Sequence, residues 1–175
     1  MAIKKVLRLI SGLLAIVLIF DSGFLQADQK SSQPLFKIER NTNANIIQYD
    51  AQIGPDGKLD QKQPVVAYWI RLAKQGQKEE LSKIQSKFAY GFKADLDRNS
   101  DTVTLKMAAN IGRSITVERD EKTYKAIAMI DGKSSRLEKI FIHATGKGMS
   151  TTVDYIQLHG ISIDTGDKTF EQFVP

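Results

Sequence analysis

Apolar and polar residues alternate along most of this chain, and this alternation constrains the fold more than any other feature. Within 102–107, Val103, Leu105 and Met107 alternate with polar residues. A period of two residues predicts β-strands with one buried face. The links between successive candidate strands are short, at 95–101, 110–113, 120–122 and 131–135. Because a parallel crossover needs about a dozen residues or more, these links favour antiparallel hairpins.

Candidate strands run from residue 35 to residue 160. They cover 35–40, 46–53, 65–72, 88–92, 102–107, 114–118, 124–130, 137–144 and 153–160. The segment 65–72 is almost continuously apolar, so we expect a central strand that is covered on both faces. The sequence Gly-Pro-Asp-Gly at 54–57 predicts a turn, because proline presets φ and glycine accepts positive φ.

One segment has helical spacing. Within 77–88, Leu81, Ile84 and Phe88 recur at intervals of three and four residues, which predicts a short amphipathic helix. Glu79 precedes Lys83 by four residues, the favourable orientation for a helical ion pair. The fold class that follows is all-β and mainly antiparallel with one short helix. We expect the meander to close into a β-barrel or a near-closed β-sandwich, since closure removes exposed strand edges.

The N-terminus has the order of a secretory signal peptide. Lys4, Lys5 and Arg8 precede an apolar run at 9–20, and a short polar segment ends at Ala27. The apolar run is shorter than the roughly 20 residues that span a bilayer. We therefore expect cleavage after Ala27, with an uncleaved membrane anchor as the alternative. The expected location is the periplasm or the extracellular medium, with no transmembrane segment after cleavage.

The expected organisation is a cleavable signal peptide at 1–27, a flexible lead-in at 28–34 and a single β-rich domain at 35–175. The whole chain of 175 residues has a formal net charge of +5 and no cysteine. Removal of residues 1–27 takes away three basic residues and one acidic residue, which leaves +3. The remaining charges of both signs are interspersed, which is typical of a solvated surface and excludes a nucleic-acid footprint.

The best candidate for a metal site is an acidic segment with oxygen side chains at alternate positions. These are Asp95, Asp97, Asn99 and Asp101. Such spacing is typical of the first half of a calcium loop, but Ser100 replaces the required glycine and Lys106 replaces the bidentate glutamate. The alternative is a solvated hairpin turn, because Asp, Asn and Ser favour turns. Both interpretations stay open, and no metal ligand is assigned.

Histidine chemistry is sparse. His143 and His159 each lie near the end of a candidate strand, and two imidazoles alone make a poor zinc site. The chain has no cysteine, no nucleophile elbow and no Ser-x-x-Lys motif. The segment Gly-Lys-Ser at 132–134 lacks the earlier glycine of a phosphate loop, so we interpret it as a hairpin turn. We assign no catalytic residue and no cofactor.

Aromatic residues are spread over most of the candidate strands. They are Tyr49, Tyr68, Trp69, Phe88, Tyr90, Phe92, Tyr124, Phe141 and Tyr155. In a small filled barrel such residues form the core, whereas in a wider barrel they line a ligand cavity. Arg40 with Asn41, Asn43 and Asn45 forms a polar cluster between the first two strands, where asparagines in a turn are the simpler explanation.

Several segments in order along the chain resemble a known family. They are LFKIERNTNANIIQYDAQ (35–52), GKLDQKQPVVAYWIRL (57–72), KFAYGF (87–92), LEKIFIHA (137–144) and VDYIQLHG (153–160). They resemble the bacterial family of small exported proteins catalogued as domain of unknown function 4833. The resemblance covers essentially the whole chain after the signal peptide. It implies an envelope or secreted protein and brings no activity, cofactor or catalytic residue.

The sequence therefore predicts a non-enzymatic binding or envelope-interaction module. Its expected partner is a small apolar ligand, a peptide or an envelope component, including a membrane surface approached by lysine side chains. The alternative is an envelope hydrolase with an unrecognised site of Asp, Glu and His. That alternative predicts that His143 or His159 lies within hydrogen-bond distance of a carboxylate.

Overall fold

Strands make up most of the chain in the computed structural model, which describes residues 30–109, 111–146 and 150–175. The signal peptide expected at 1–27 lies outside the described residues. The strands are β1 (Ser31–Arg40), β2 (Asn43–Ile53), β3 (Val65–Arg71), β4 (Gln77–Glu80), β5 (Phe92–Asp97), β6 (Thr102–Met107), β7 (Ile115–Asp120), β8 (Thr123–Ile130), β9 (Lys133–Thr145), β10 (Thr152–Ser162) and β11 (Lys168–Phe173). A 3-10 turn at Leu72–Lys74 follows β3, and the α-helix α1 spans Lys83–Phe88. Within the described ranges, no helix is long and apolar enough to cross a bilayer.

All eleven strands belong to one mixed sheet that forks at β9. Along one edge β9 pairs with β10, which in turn pairs with β11. Along its other edge β9 pairs first with β8, through residues 133–136, and then with β1, through residues 139–142. The strands β1 to β4 and β8 to β5 extend from this fork in two runs. The sheet curls into a half-barrel, and the predicted all-β class with one short helix is confirmed.

Antiparallel pairings with short connections link the strands from β5 to β9, as the sequence predicts. The β8–β9 turn illustrates the cause, since Asp131 and Gly132 both have positive φ, at 49° and 71°. This conformation is typical of the two-residue hairpin turn that follows the twist of its strands. The interpretation of 132–134 as a hairpin is confirmed. The pairing of β1 with β9 is parallel, and the short links between successive strands did not predict it.

The core lies on the concave side of the half-barrel, because alternate residues of β1, β2, β6 to β8 and β10 point inwards. The largest fully buried side chains are Trp69, Tyr49, Ile47, Leu59, Leu105, Ile115, Ile130, Leu137, Ile140, Leu158, Val103 and Val117. Strand β3 buries Val65 and Trp69 on this side, while its outward residues are half-buried. The expectation that 65–72 is a central strand covered on both faces is therefore wrong. Its second neighbour is the short, exposed β4.

The predicted helix at 77–88 is only partly present. Gln77–Glu80 forms β4, because the chain reverses at Gln75 and Gly76, which both have positive φ, and then pairs with β3. The helix begins after Ser82, whose side chain accepts a hydrogen bond from the Gln85 N–H, while the Gln85 side chain accepts one from the Ser82 N–H. This reciprocal cap stops the helix from extending back through β4. Glu79 accordingly pairs with Arg71, at 2.8 Å, and not with Lys83.

The first strand begins inside the segment expected to be a flexible lead-in. Residues 31–34 pair with β2. Gln33 also joins this end of β1 to β8, since its side-chain amide donates to the Tyr124 carbonyl oxygen at 2.8 Å and its amide oxygen accepts from the Tyr124 N–H at 2.9 Å. The Gln33 side chain therefore bridges β1 and β8, which are not paired with each other in the sheet. Strand β11 was not predicted. Phe88 was assigned both to the helix 77–88 and to a strand at 88–92; it ends α1, and β5 begins only at Phe92, so the strand at 88–92 is wrong.

Candidate functional site

The inward-facing aromatic residues form packed core. The Phe36 and Tyr49 rings stack with centroids 4.4 Å apart, and the Trp69 and Tyr90 rings meet edge-on at 5.5 Å. The Tyr49 hydroxyl donates to the Tyr90 carbonyl oxygen at 2.6 Å, and burial raises the pKa of Tyr49 well above its usual value. For these residues the core interpretation is confirmed. Tyr68, Phe141 and Tyr155 are instead half-exposed on the outer side.

Arg40 lies at one end of this core and not in a polar cluster with the asparagines. Its guanidinium lies 5.0 Å from the Trp69 ring centre and 5.1 Å from the Tyr90 ring centre, and it donates to the Tyr90 hydroxyl. Asn41 bonds through its side chain to both backbone groups of Ala144. The Asn43 side chain accepts from the Asn45 N–H at 3.0 Å. Asn43 thus stabilises the local turn, as the simpler explanation predicts, whereas Asn41 joins this turn to β9.

The outer side of β1, β9, β10 and β11 carries an open groove, which we call the outer groove. Its volume is about 410 Å³. The side chains that define it are Lys37, Glu138, Lys139, His159, Lys168 and Phe170. A smaller groove of about 230 Å³ adjoins it and shares Lys37 and Glu138. The adjoining groove also includes Arg136 and lies where β1 diverges from β9.

Basic side chains outnumber acidic ones in the outer groove. Glu39, at its border, accepts ion pairs from Lys37 at 2.6 Å and from Lys139 at 3.6 Å. Partial burial acts to raise the pKa of Glu39, but hydrogen bonds and charges from these two lysines lower it overall. Glu138, which lines both grooves, pairs with Arg136 of the adjoining groove at 2.9 Å. Because one carboxylate serves two ammonium groups, and exposed Lys168 adds a third, the groove carries net positive charge.

His159 lies in the floor of the outer groove. It is opposite Lys139 on β9 and opposite Phe170 on β11, whose ring meets the imidazole edge-on at 5.1 Å. Its Nε2 atom is buried and has no hydrogen-bond partner. Desolvation lowers the pKa of His159, and the nearby Lys139 ammonium lowers it further. The imidazole is therefore neutral at neutral pH, and it adds no charge to the groove.

The two histidines do not meet. His143 is opposite Tyr155 in the β9–β10 ladder, whereas His159 is opposite Lys139, four residues further along β9. Four residues of strand correspond to about 13 Å. The two imidazoles are therefore too far apart to bind one metal ion together.

His143 instead forms a pair with Asp154 that the sequence analysis missed. The His143 Nδ1 and Asp154 Oδ2 atoms are 2.9 Å apart, and the Thr145 hydroxyl donates to the other Asp154 oxygen at 3.1 Å. The imidazole also stacks on Tyr155, with ring centres 4.7 Å apart. The β10 register shifts between Val153 and Tyr155, so Asp154 is the extra residue of a bulge. Strict alternation cannot predict a side chain that a bulge redirects.

The acidic turn at 95–101 does not gather its oxygen side chains around one point. Asp95 lies on β5, opposite Thr104. The Asp97 carboxylate accepts from the Asn99 N–H and the Ser100 hydroxyl, both at 2.9 Å. Asp101 faces away and accepts hydrogen bonds from the Tyr124 hydroxyl, the Arg119 guanidinium and the Leu59 N–H. These contacts are those of a structural hairpin turn. In the part of the chain that the structure describes, no three His, Asp or Glu side chains converge as metal ligands.

A match to a family model identifies the family of this chain. Searches of curated proteins and of solved structures found no match. The family model of domain of unknown function 4833 matches residues 36–172, which is well over half of the chain and includes β2 to β10 completely. The outer groove and the His143–Asp154 pair both lie inside the matched region. The chain therefore belongs to the family of domain of unknown function 4833.

Proposed function

We propose that this protein is an exported, non-enzymatic binding module of the bacterial envelope, and that its outer groove holds an anionic group of its partner. The observation that carries the proposal is the excess of ammonium groups in that groove. Lys37, Lys139 and Lys168 line it, Lys37 and Lys139 share the single carboxylate of Glu39, and Glu138 pairs with Arg136. An anionic group on the partner would balance the remaining charge.

The shape of the grooves supports a partner larger than a small apolar ligand. Trp69, Tyr49 and the other inward-facing aromatic residues are packed in the core, so they do not line a ligand cavity. The outer groove and its neighbour are open, and together they follow the diverging edges of β1 and β9. An extended chain with anionic groups, such as an acidic peptide or an acidic envelope polymer, fits this form.

Export is supported by the N-terminal sequence. Three basic residues, the apolar run 9–20 and the small residue Ala27 have the order of a signal peptide. Expression of the full chain in a bacterial host, followed by mass measurement of the periplasmic and secreted fractions, tests this part. We expect a product that begins at Asp28. An intact chain retained in the membrane would support the anchor alternative instead.

Native mass spectrometry of the protein recovered from its own envelope tests the groove. We expect a retained partner mass on the wild type and its loss in the Lys139→Gln/Lys168→Gln variant. Lys58→Gln/Lys62→Gln removes the same charge from an exposed loop and is expected to keep the partner. Retention by the groove variant, or equal loss from both variants, would refute the proposed site.

The His143–Asp154 contact favours a second candidate, the envelope hydrolase. A carboxylate bonded to Nδ1 orients an imidazole so that Nε2 can act as a general base. The pair is about one-third exposed, which leaves it accessible. Assays with chromogenic ester and glycoside substrates test this candidate. Activity that Asp154→Asn abolishes would establish it, and activity unchanged in that variant would remove the pair from consideration.

A further inference from the structure

Helix α1 carries two large apolar side chains that the fold leaves in solvent. Ile84 is 74% exposed and Phe88 is 65% exposed. They are four residues apart and therefore project from the same side of the helix. The helix is anchored on another side, where the Trp69 indole N–H donates to the Gln85 side chain at 3.2 Å. The cap at Ser82 and this anchor hold the helix, so the apolar pair is presented by a fixed element.

Lysines lie beside this apolar pair on α1, and two more share a groove with Lys87. Lys83 and Lys87 are exposed on α1, and the Lys87 ammonium lies 5.0 Å from the Phe88 ring centre. Lys93 on β5 is directly opposite Lys106 on β6. Like charges at directly opposed positions of an antiparallel pair repel each other, so this arrangement costs stability unless an anion is present.

The lysines of this region have no ion-pair partner among the described residues. A groove of about 520 Å³ is lined by Lys87, Lys93 and Lys106 together with apolar and hydroxyl residues, and none of the described side chains lining it is a carboxylate. No ion pair within residues 30–109, 111–146 and 150–175 involves any of the four lysines. The acidic residues of that ladder are Asp95 and Asp97, which lie two and four residues from Lys93 on the same face of β5.

We propose that this surface docks the protein on an anionic phospholipid bilayer. We call it the α1 patch and define it by Lys83, Ile84, Lys87, Phe88, Lys93 and Lys106. Ile84 and Phe88 enter the boundary between headgroups and acyl chains, while the lysines contact lipid phosphates. Apolar insertion combined with several basic residues is the established physical basis of reversible membrane-surface binding.

Charge and shape select this partner over two others. A second copy of the chain would place lysines against lysines across a twofold axis, which repels. A protein partner would need a concave pocket matched to two side chains that protrude from a six-residue helix. A bilayer surface is deformable and negatively charged, so it accepts protruding apolar groups without a preformed pocket. The α1 patch and the outer groove share no residue, and the inference goes beyond the proposed function.

Vesicle co-sedimentation tests the inference. The protein is produced from the full chain and recovered after export, so every variant has the same N-terminus. We expect binding to vesicles of phosphatidylcholine mixed with phosphatidylglycerol, weak binding to phosphatidylcholine alone, and release as salt is raised. Equal binding to both vesicle types, or none to either, would overturn the inference.

Two pairs of variants locate the contact. Lys93→Gln/Lys106→Gln should weaken partition into anionic vesicles by about 25-fold, since each lysine near such a surface contributes roughly fivefold. Lys122→Gln/Lys133→Gln removes the same charge from exposed hairpin residues and should change partition much less. Equal weakening by the two variants would show that only net charge matters, which refutes a defined patch.

The apolar part has its own control. Ile84→Ser/Phe88→Ser should lose most of the binding, whereas Met129→Ser/Val174→Ser, which also removes two exposed apolar side chains, should retain it. Both substituted pairs are solvent-exposed, so each variant is expected to fold. Analytical ultracentrifugation of the wild type should give a single-chain mass in the absence of vesicles. A dimer that the Ile84→Ser/Phe88→Ser variant abolishes would assign the patch to self-association and overturn the lipid inference.

Discussion

Glu171 connects β11 to the β8–β9 hairpin, and its replacement by glutamine should weaken this closure. Its carboxylate receives both terminal nitrogens of Arg113 at 2.7 Å, in a two-point ion pair. One of its oxygens also accepts from the Asp131 N–H at 2.7 Å. The Arg113 and Glu171 side chains are 22% and 23% exposed, so solvent screens the pair only partly. The Arg113 guanidinium also donates a hydrogen bond to the Met129 carbonyl oxygen.

The expected loss on Glu171→Gln is about 2 kcal/mol of unfolding free energy. A charge-assisted hydrogen bond contributes about 1.5 to 3 kcal/mol, and the glutamine amide retains one acceptor. For a folded body of this size, that loss lowers the melting temperature by about 4 to 8 °C. Urea unfolding at neutral pH, followed by the fluorescence of Trp69, the one tryptophan in the chain, measures it directly.

Acid should remove the difference between the two proteins. The Arg113 hydrogen bond is the main cause that lowers the pKa of Glu171 below 4.5, with a smaller contribution from the Asp131 N–H, and burial opposes both. The unfolded chain therefore binds the proton more tightly than the folded one. The contribution of Glu171 is complete above the unfolded-state pKa and is lost as the pH falls through the folded-state pKa. The wild-type and Glu171→Gln stabilities should converge there.

A matched control is Glu118→Gln, since Glu118 is exposed on β7 and forms no ion pair within the described residues. It should change stability by less than about 0.5 kcal/mol. If Glu171→Gln also costs less than that at neutral pH, the ion pair does not hold β11 in place. A full loss that persists in acid would show that the cost comes from shape and not from charge.

Three further predictions concern the core, α1 and the outer groove. Gly91→Ala should be severely destabilising, because its Cβ would lie 1.7 Å from the Ser86 carbonyl oxygen; urea unfolding that matches the wild type would contradict this. Trp69→Ala should cost about 3 to 5 kcal/mol, since the side chain is 1% exposed, and circular dichroism during heating should show an early transition. Burial and Lys139 lower the pKa of His159 in the folded protein, so the wild type loses stability as the pH falls from 6.5 towards the folded-state pKa. His159→Gln should remove this part of the pH dependence of the unfolding free energy. An unchanged pH profile in that variant would show that His159 does not titrate differently on folding.

Local sequence was sufficient to predict most strands. In β6 and β7 the inward residues Val103, Leu105 and Ile115 alternate with polar ones, and a period of two places them on one face whatever their neighbours are. The β8–β9 hairpin was equally predictable, because Asp131 and Gly132 accept the positive φ that its turn requires. The resemblance to domain of unknown function 4833 was also visible in the sequence, and the family match confirms it.

Edges and bulges were not predictable in the same way. Residues 77–80 belong to the segment that the spacing of Leu81, Ile84 and Phe88 predicted as a helix. Pairing with β3 makes them a strand instead, because ladder hydrogen bonds outweigh weak helix propensity. Asp154 meets His143 only because one extra residue in β10 turns its side chain. Neither outcome is encoded in a periodic pattern.

The sequence by itself determined the all-β class, the positions of most strands and their tight turns, since each depends on residues that are neighbours along the chain. Only the tertiary structure decided the parallel pairing of β1 with β9 and the fork of the sheet at β9. It alone also brought together Lys37, Lys139 and Lys168 around the outer groove, and Lys87 with the facing lysines of β5 and β6. The three lysines of the outer groove come from strands far apart in sequence. Their proximity arises when the whole sheet curls to bury its concave side, and no local pattern contains that information.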